Sequence, residues 1–456
     1  MANALTAATA AIVTTPALRR WDVTGKMKCE CVEHSLPNEL PADRVHLEFI
    51  CNGVCGSDTH MFCTGAVHSG HKGPHQPLTL GHELVGRVKA IGKDVTTLKV
   101  GDVVAVEPGL PCGECPNCKK GRYHCCPKTL YMGTPPQNGG LADEFHWPAT
   151  WCHLLPASLA ADPVLASLAE PLAACRQSWE LRNKMVVDRE DDEWTVVTGS
   201  GAMALGVVAI IKAMNPNEKV AVVARNAKAL AFAKEFGADA TFELSAINPK
   251  AIAEQMAEDL AELFKTDHFD NDETLDASFA DSPVRLAAAR AAREAVRIQR
   301  DRGSHMDEVP SIIRTAAFAA AVKAQIEENK TVFAAVQKLA NGFVSSLFEC
   351  TGDERLLETI IESRCMLANG TIIGLGCHYG VSFDVAMLRR FELSFQPVRR
   401  SCNQFPATIK LLEEKPEMFR KLVGGTIKFE DFGGLMTGDV KETSTGTGGP
   451  KTVVVK

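Results

Sequence analysis

The chain has 456 residues, of which 45% are hydrophobic and 23% charged, so it is long enough for about two or three domains of average globular composition. Its net charge of −7 gives no reason to expect nucleic acid or an anionic membrane as a partner, and no apolar run approaches the roughly 18 residues of a membrane-spanning helix. Its 16 cysteines occur in a chain that is neither short nor loop-dominated, which disfavours a disulfide scaffold and favours metal-binding thiols in a reducing compartment.

The N-terminal segment MANALTAATAAIVTTPALRR lacks acidic residues and ends in two arginines, which weakly resembles a transit peptide. We prefer the interpretation of a short disordered tip followed by a first strand near Ala11–Thr14. The protein is then expected to be cytoplasmic.

Residues 45–156 have the pattern of an all-β region. Short apolar runs separated by Gly, Pro and Asp turn signals predict strands at VHLEFI, ELVGRVKAIG, GDVVAVEP and WCHLLP. Polar and apolar residues alternate in RVHLEF, as in a half-buried strand. In the loop before the GHE sequence, His68, His71 and His75 are interpreted as exposed residues, with a substrate entrance as the alternative.

The pattern changes near Ser178, where strands begin to alternate with helices. TVVTGSGAMALGVVAIIKAM predicts a buried strand, a glycine turn and an apolar helix, and KVAVVARNAKALAFAKEFGADA repeats strand and helix. Three more strands are predicted at SSLFECTG, TIIGLG and ELSFQPV. This alternation predicts an α/β fold with a doubly wound parallel sheet.

Residues 246–340 interrupt this alternation with Ala/Glu-rich and Ala/Arg-rich stretches that predict helices. An acidic segment lies between the first two of them. We interpret the range as a helical insertion that contains an acidic loop. The C-terminal sequence TSTGTGGPKTVVVK predicts a flexible stretch and a closing strand.

Four cysteines recur at short intervals in PCGECPNCKKGRYHCC, namely Cys112, Cys115, Cys118 and Cys126. Buried apolar cysteines and a redox dithiol are the alternatives. Overlapping CxxC spacings with a fourth thiol favour a structural zinc, which binds four thiolates at about 2.3 Å. Cys125 is adjacent to Cys126, and chemistry alone leaves either as the fourth ligand.

A second set of metal-binding residue types is scattered along the chain: Cys55 in VCGSDTH, His82 in TLGHELVG and Glu170 in LAEPLA. A thiolate in a glycine-containing turn and a neutral imidazole are both zinc ligands. Taken alone, a single histidine is more often a structural hydrogen-bonding group. Spacing alone is therefore weak evidence for this set.

The turn TGSGAMALG has the form of a dinucleotide-binding fingerprint, with Gly199, Gly201 and Ala204 at its three positions. Gly199 permits the tight turn, and Gly201 lets a pyrophosphate approach the backbone and the helix N-terminus. At the end of the next strand, VAVVARNAK has Ala224 where NAD-binding proteins usually carry an acid, followed by Arg225. This favours NADP, and the alternative is NAD with Arg225 lying over the adenine.

These motifs, in this order, resemble the zinc-dependent medium-chain alcohol dehydrogenases over most of the chain outside residues 246–340. MGTPPQNGGLADEFHWPATWCHLLP and EPLA resemble the sorbitol, or polyol, dehydrogenases among them. The resemblance implies a GroES-like β-rich catalytic domain of residues 1–172 and 400–456, and a Rossmann domain of residues 173–399 that carries the helical insertion. It also implies a homo-oligomer, either a dimer or a tetramer.

For the catalytic zinc, the resemblance implies Cys55 and His82 as ligands. Glu170 stands where the polyol subgroup has a carboxylate that binds zinc directly or through water. Glu83, beside His82, is a further candidate ligand, one that would exchange with water, and the alternative for both glutamates is a solvated charge. Asp58 is expected to orient a ligand from behind.

The implied reaction is hydride transfer between a small-molecule alcohol and NAD(P), with zinc lowering the pKa of the alcohol. Ser57 and His60 match the family's proton relay, and Arg400 matches a contact to substrate hydroxyls. The family commonly has Tyr after this arginine, whereas this chain has Ser401. Alternative substrates are an amino-alcohol, an aldose or a cyclitol, and the alternative class is a non-catalytic NADP-binding structural protein.

Overall fold

A computed structural model describes residues 17–65, 77–186, 189–190, 192–264, 272–301, 308–376, 385–441, 443–444 and 449–456. The strand expected near Ala11–Thr14, the three loop histidines and part of the acidic segment lie outside these ranges. The chain divides into two compact units, one of residues 1–177 with 399–456 and one of residues 178–398. Among the helices within the described ranges, none combines the length and apolar character needed to cross a membrane.

The described residues form nineteen strands, in chain order β1 (Leu18–Gly25), β2 (Lys28–His34), β3 (Arg44–Gly53), β4 (Leu78–Thr79), β5 (Glu83–Ile91), β6 (Val103–Val106), β7 (Gly109–Leu110), β8 (Leu130–Tyr131), β9 (Glu144–Pro148), β10 (Cys152–Leu154), β11 (Trp194–Thr198), β12 (Lys219–Ala224), β13 (Ala240–Glu243), β14 (Val344–Glu349), β15 (Thr371–Gly374), β16 (Ser394–Pro397), β17 (Val423–Lys428), β18 (Thr443–Ser444) and β19 (Lys451–Val455).

The helices, also in chain order, are α1 (Gly56–Thr64), α2 (Pro116–Lys119), α3 (Ala157–Ala160), α4 (Pro163–Ala166), α5 (Ala169–Met185), α6 (Ala202–Met214), α7 (Ala227–Glu235), α8 (Pro249–Phe264), α9 (Asp272–Ser278), α10 (Pro283–Asp301), α11 (Val309–Leu339), α12 (Glu354–Ser363), α13 (Val385–Phe391), α14 (Phe405–Glu414), α15 (Pro416–Arg420) and α16 (Phe432–Thr437).

The first unit is β-rich, as the sequence predicts. Its main sheet has the strand order β10-β6-β5-β3-β19-β17-β18, with β9 also paired to β3, and a smaller sheet has the order β2-β1-β4. Along β3, Val45, Leu47 and Phe49 are buried and alternate with partly exposed polar residues, because successive side chains of a strand point to opposite faces. The closing strand β19 pairs with the end of β3, which brings the C-terminus of the chain to the middle of this sheet.

The second unit contains the predicted doubly wound sheet. Six parallel strands lie in the order β13-β12-β11-β14-β15-β16. The chain moves outward from β11 to β13 and then crosses to β14 on the other side of β11. Such a reversal opens a crevice at the carboxyl ends of the strands, where ligands of α/β proteins bind.

The described residues of the range 246–340 are mainly helical. From α8 to the start of α11 they form a core of their own, with Met256 and Ile313 among its residues. The last turns of α11 differ, because Phe333 and Val336 pack into the core beneath the parallel sheet. The predicted range of the insertion therefore includes the helix through which the chain crosses from β13 to β14.

Candidate active site

Cys55, His82 and Glu83 come together at one end of the β3–β5 pair. The last residue of β3, Gly53, lies opposite the first residue of β5, Glu83. Cys55 follows two residues after β3 and precedes α1, so antiparallel pairing brings it beside His82. One ligand atom from each of Cys55, His82 and Glu83 lies within 4.8 Å of the other two. A thiol, an imidazole and a carboxylate at this separation are a donor set that suits zinc.

Asp58 holds the two segments that carry these ligands. Its Oδ2 accepts a hydrogen bond from the Cys55 backbone N–H at 2.9 Å, and its Oδ1 accepts one from the Gly81 N–H at 3.1 Å. The same Oδ1 lies 3.7 Å from His82 Nδ1. Burial lowers the pKa of His82, but the charge of Asp58 and the hydrogen bond and charge of Cys55 outweigh it and raise that pKa to about 10. Asp58 thus lies behind the imidazole, at the position from which neighbouring groups orient metal ligands in proteins.

Glu83 is paired with a buried cation that sequence reasoning missed. Lys451 Nζ lies 2.6 Å from Glu83 Oε1 and donates a second hydrogen bond to the Val54 carbonyl at 3.1 Å. Glu83 Oε2 is buried and has no hydrogen-bond partner among the described residues. A Cβ atom at Gly53 would collide with this oxygen, so only glycine leaves room for it. A buried carboxylate oxygen without a protein partner is consistent with a ligand for a cation.

Glu170, in the first turn of α5, is buried near this cluster without belonging to the group within 4.8 Å. Its Oε1 accepts a hydrogen bond from the Tyr131 hydroxyl at 2.7 Å. Burial raises the pKa of Glu170 more than the charge of His82 and the Tyr131 hydrogen bond lower it. The Arg400 guanidinium stacks over the Tyr131 ring, 3.3 Å from its centroid. Tyr131 therefore links two predicted site residues, a role that no sequence signal indicated.

The predicted relay residues Ser57 and His60 lie on α1 and are exposed. They are three positions apart, so they share one face of the helix. Neither side chain makes a hydrogen bond with the residues that the structure describes.

The four-cysteine segment forms a compact thiol cluster. The Sγ atoms of Cys112, Cys115, Cys118 and Cys126 all lie within 4.8 Å of one another. Backbone N–H groups point into it, with Cys112 N 3.4 Å from Cys126 Sγ and Cys115 N 3.4 Å from Cys112 Sγ. Cys125 is exposed and lies outside this group, so the geometry favours Cys126 as the fourth donor. Four sulfurs around one point match the donor set of structural zinc.

The glycine turn lies between β11 and α6. Gly199 has φ +111°, a conformation that favours glycine, and a Cβ there would sit 3.4 Å from the buried Ala204 Cβ. Gly201 immediately precedes α6, and a Cβ placed on it would meet nothing within 4 Å. The turn therefore leaves open space at the N-terminus of α6, where a pyrophosphate binds in such folds.

A cavity of about 280 Å³ adjoins this turn. Its lining includes the turn itself, the strand-end residues Ala224 and Arg225, and residues that follow β14, among them Asp353 and Arg355. Burial raises the pKa of Asp353, but the hydrogen bond and charge of Arg355, with a smaller effect of Arg225, lower it overall. The cavity thus has two guanidinium groups and one carboxylate at its edge.

Comparison with known proteins agrees with this architecture. Residues 41–157 match the alcohol dehydrogenase GroES-like domain. The probable D-xylulose reductase A of Aspergillus clavatus is 37% identical over 207 residues, which are 45% of this chain and 55% of that protein. The chain thus spans about half the length of the curated relatives it matches.

Solved structures are similar over nearly the whole chain. L-idonate 5-dehydrogenase of Escherichia coli has a TM-score of 0.66 at 18% identity, covering 97% of this chain and 99% of that one. A putative zinc-binding dehydrogenase of Sinorhizobium meliloti, bound to NADP, has a TM-score of 0.65 at 19% identity, covering 97% and 100%. At such identities the likeness shows the fold alone. Together with the GroES-like match over residues 41–157 and the partial match to the curated relatives, it makes the chain similar to the zinc-dependent medium-chain alcohol dehydrogenases.

Proposed function

We propose that the protein is a dehydrogenase that transfers a hydride between a polyol or secondary alcohol and NAD(P). The observation that carries the proposal is the Cys55–His82–Glu83 cluster, in which His82 and Glu83 are buried and one Glu83 carboxylate oxygen has no partner among the described residues. The same chain has a glycine turn of the dinucleotide-binding form. Polyol chemistry is supported by relatives named D-xylulose reductase and by the L-idonate dehydrogenase fold. A cytoplasmic location and a homo-oligomer remain predictions.

Cys55, His82 and Glu83 would hold a catalytic zinc, and the four-cysteine cluster a structural one. Zinc supplies a Lewis acid that stabilises negative charge on the substrate oxygen. Asp58 keeps the His82 ring in place through the contact described above. Ser57 and His60, exposed on one face of α1, offer a route for the proton to solvent.

Substrate hydroxyl groups would meet the polar set formed by Glu170, Tyr131 and Arg400. Together these side chains present a carboxylate, a phenol and a guanidinium, which can both accept and donate hydrogen bonds. This balance suits a molecule with several hydroxyl groups better than a simple alkyl alcohol.

For the cofactor, we favour NADP over NAD. Ala224 supplies no carboxylate for the ribose hydroxyls, and Arg225 and Arg355 both line the cavity beside it. Asp353 opposes a phosphate there, but it is already hydrogen-bonded to Arg355 at 3.2 Å. Because Arg355 is paired with Asp353, Arg225 is the guanidinium that would bind the 2′-phosphate of NADP.

The metal assignment is tested by Cys55→Ser. Elemental analysis should show loss of zinc from one site with the other retained, and dehydrogenase activity should fall by more than about a hundred-fold, the range typical of changes around the ligands. Cys63→Ser is the matched control, because Cys63 lies exposed on the adjoining α1. A Cys55→Ser protein with full activity would contradict the mechanism.

The substrate is tested with polyols, cyclitols, aldoses and amino-alcohols, each with NAD and NADP. A fully zinc-loaded protein that is inactive with all of them would favour the non-catalytic alternative. Ala224→Asp should shift cofactor preference towards NAD, whereas Ala227→Asp, in α7 and outside the cavity lining, should leave it unchanged. An unchanged preference in Ala224→Asp would contradict the choice of NADP.

A further inference from the structure

Helix α11 has one buried stripe along its length, and the chemistry of that stripe changes in the middle. Near its start, Ile313 and Ala317 pack in the core of the insertion, and near its end Phe333 packs beneath the parallel sheet. Between them lie Gln325 and Asn329, which are only 4% and 7% exposed. Because buried amides are costly unless they are hydrogen-bonded, these two positions call for polar partners.

Each amide uses one end to hold the chain segment that follows β13. Gln325 Nε2 donates to the Ile247 carbonyl at 2.7 Å, and Asn329 Oδ1 accepts from the Ser245 N–H at 2.9 Å. For the other ends, Gln325 Oε1 and Asn329 Nδ2, the described part of the chain provides no hydrogen bond. One acceptor and one donor, a turn apart on the same helix, are thus left over.

Both amides line the 280 Å³ cavity next to the glycine turn, together with the apolar side chains of Ile326 and Leu244. The turn occupies the end of the cavity that suits a pyrophosphate, and Arg225 marks the side that suits the adenosine ribose. The amides and their apolar neighbours therefore surround the space left for the base. Adenine presents an amino donor beside a ring-nitrogen acceptor, the pair of groups that Asn and Gln side chains recognise in nucleic acids.

We propose that Gln325 and Asn329 bind the edge of the cofactor's adenine: Gln325 Oε1 accepts from the 6-amino group and Asn329 Nδ2 donates to a ring nitrogen. This inference rests on the proposed binding of NAD(P). It gives the helix that joins the insertion to the sheet a direct part in cofactor selection.

The test compares NADPH with its hypoxanthine analogue, in which oxygen replaces the 6-amino group. Dissociation constants are measured by nicotinamide fluorescence on the zinc-loaded protein. The unaltered protein should bind the analogue about ten-fold more weakly than NADPH, because the oxygen of the analogue would face the Gln325 Oε1 acceptor instead of offering it a donor. In Gln325→Leu the ratio of the two dissociation constants, analogue over NADPH, should fall below about two-fold, because the acceptor is gone. Asn329→Asp keeps the acceptor for Ser245 N–H but replaces the donor, and should weaken NADPH binding about ten-fold.

Gln337→Leu is the matched control, because Gln337 lies on the same helix, donates to the Arg364 carbonyl at 3.0 Å and is outside the cavity lining. Its ratio should equal that of the unaltered protein. Equal binding of both nucleotides by the unaltered protein would overturn the inference. The inference would also be overturned if Asn329→Asp and Gln325→Leu both fold and bind the two nucleotides with the dissociation constants of the unaltered protein. If Gln325→Leu does not fold, the result for Asn329→Asp is sufficient to test the inference. Failure to bind either NADPH or NADH would instead overturn the proposed function itself.

Discussion

Each unit of the protein contains a buried ion pair, and the two pairs differ in how completely they are satisfied. In the first unit, Lys451 and Glu83 have side chains that are 4% and 1% exposed. In the second, Arg182 and Glu218 are each 2% exposed. By burial and charge alone the two would be equivalent.

Hydrogen bonding separates them. Glu218 Oε1 accepts from Arg182 and from the Thr195 hydroxyl, each at 2.7 Å, while its Oε2 accepts from Arg182 at 3.0 Å and lies 2.9 Å from Arg189. Glu83 Oε2 has no such partner among the described residues. Both oxygens of Glu218 are thus used within the scaffold, whereas Glu83 keeps one buried oxygen that the described residues do not use, which is what the proposed zinc site requires.

The largest effect is expected from Glu218→Gln. It leaves the buried Arg182 guanidinium without its counter-charge, so unfolding free energy should fall by about 3–5 kcal/mol. Chemical denaturation of the full chain, followed through the unfolding of the second unit, measures this change in unfolding free energy. NADPH binding by the remaining folded protein should be unchanged, because Glu218 does not line the cavity.

The control replaces both partners, as Arg182→Met with Glu218→Leu. Removing the two charges together should recover most of the lost stability, since an apolar pair of similar volume avoids the desolvation of both ions. If the double variant is as unstable as Glu218→Gln, packing rather than uncompensated charge explains the loss.

A smaller effect, on metal binding, is expected from Lys451→Met. Glu83 then loses its only charged hydrogen-bond partner in the described structure, so its orientation is no longer fixed. Zinc affinity at this site should fall by about 10–100-fold, as for other groups that orient ligands. Competition with a chromophoric chelator measures it, with the four-cysteine site as an internal reference. Equal weakening of both sites would indicate a general loss of structure and contradict the role given to Lys451.

The smallest effect is a pH dependence of the second unit's stability. Burial raises the pKa of Glu218, but the hydrogen bond and charge of Arg182 outweigh it and hold that pKa below its ordinary value of 4.5. The ion pair's contribution is therefore complete above pH 4.5 and is lost as the pH falls through the lowered pKa. The stability difference between the unaltered protein and Glu218→Gln should be constant near neutral pH and shrink below 4.5. A stability difference that stays constant down to low pH would contradict the lowered pKa of Glu218.

The two candidate metal-binding clusters show what could be predicted from sequence. The four cysteines lie within one short segment, so their spacing alone indicated a common site. Cys55 and His82, the proposed ligands of the other cluster, belong to separate segments, and only the resemblance to a family connected them. The glycine turn was predictable because strand, turn and helix are consecutive.

Other parts of the site depend on contacts between distant segments. Lys451 is 368 positions from Glu83, in a C-terminal strand that reaches the centre of the sheet. Tyr131 meets Glu170 across 39 positions, and Gln325 reaches Ile247 across 78. In each case the residue type and its neighbours in sequence are ordinary. Only the strand order and the path of α11 bring these side chains to the partners that they contact in the structure.

The unbroken course of α11 also limits how this protein can be shortened. Val309 to Leu339 form one helix, so the insertion and the parallel sheet share a single run of backbone hydrogen bonds. Excising the whole range 246–340 would remove the crossover that joins β13 to β14. A deletion that keeps this crossover has to end before Val332, where α11 begins to pack beneath the sheet.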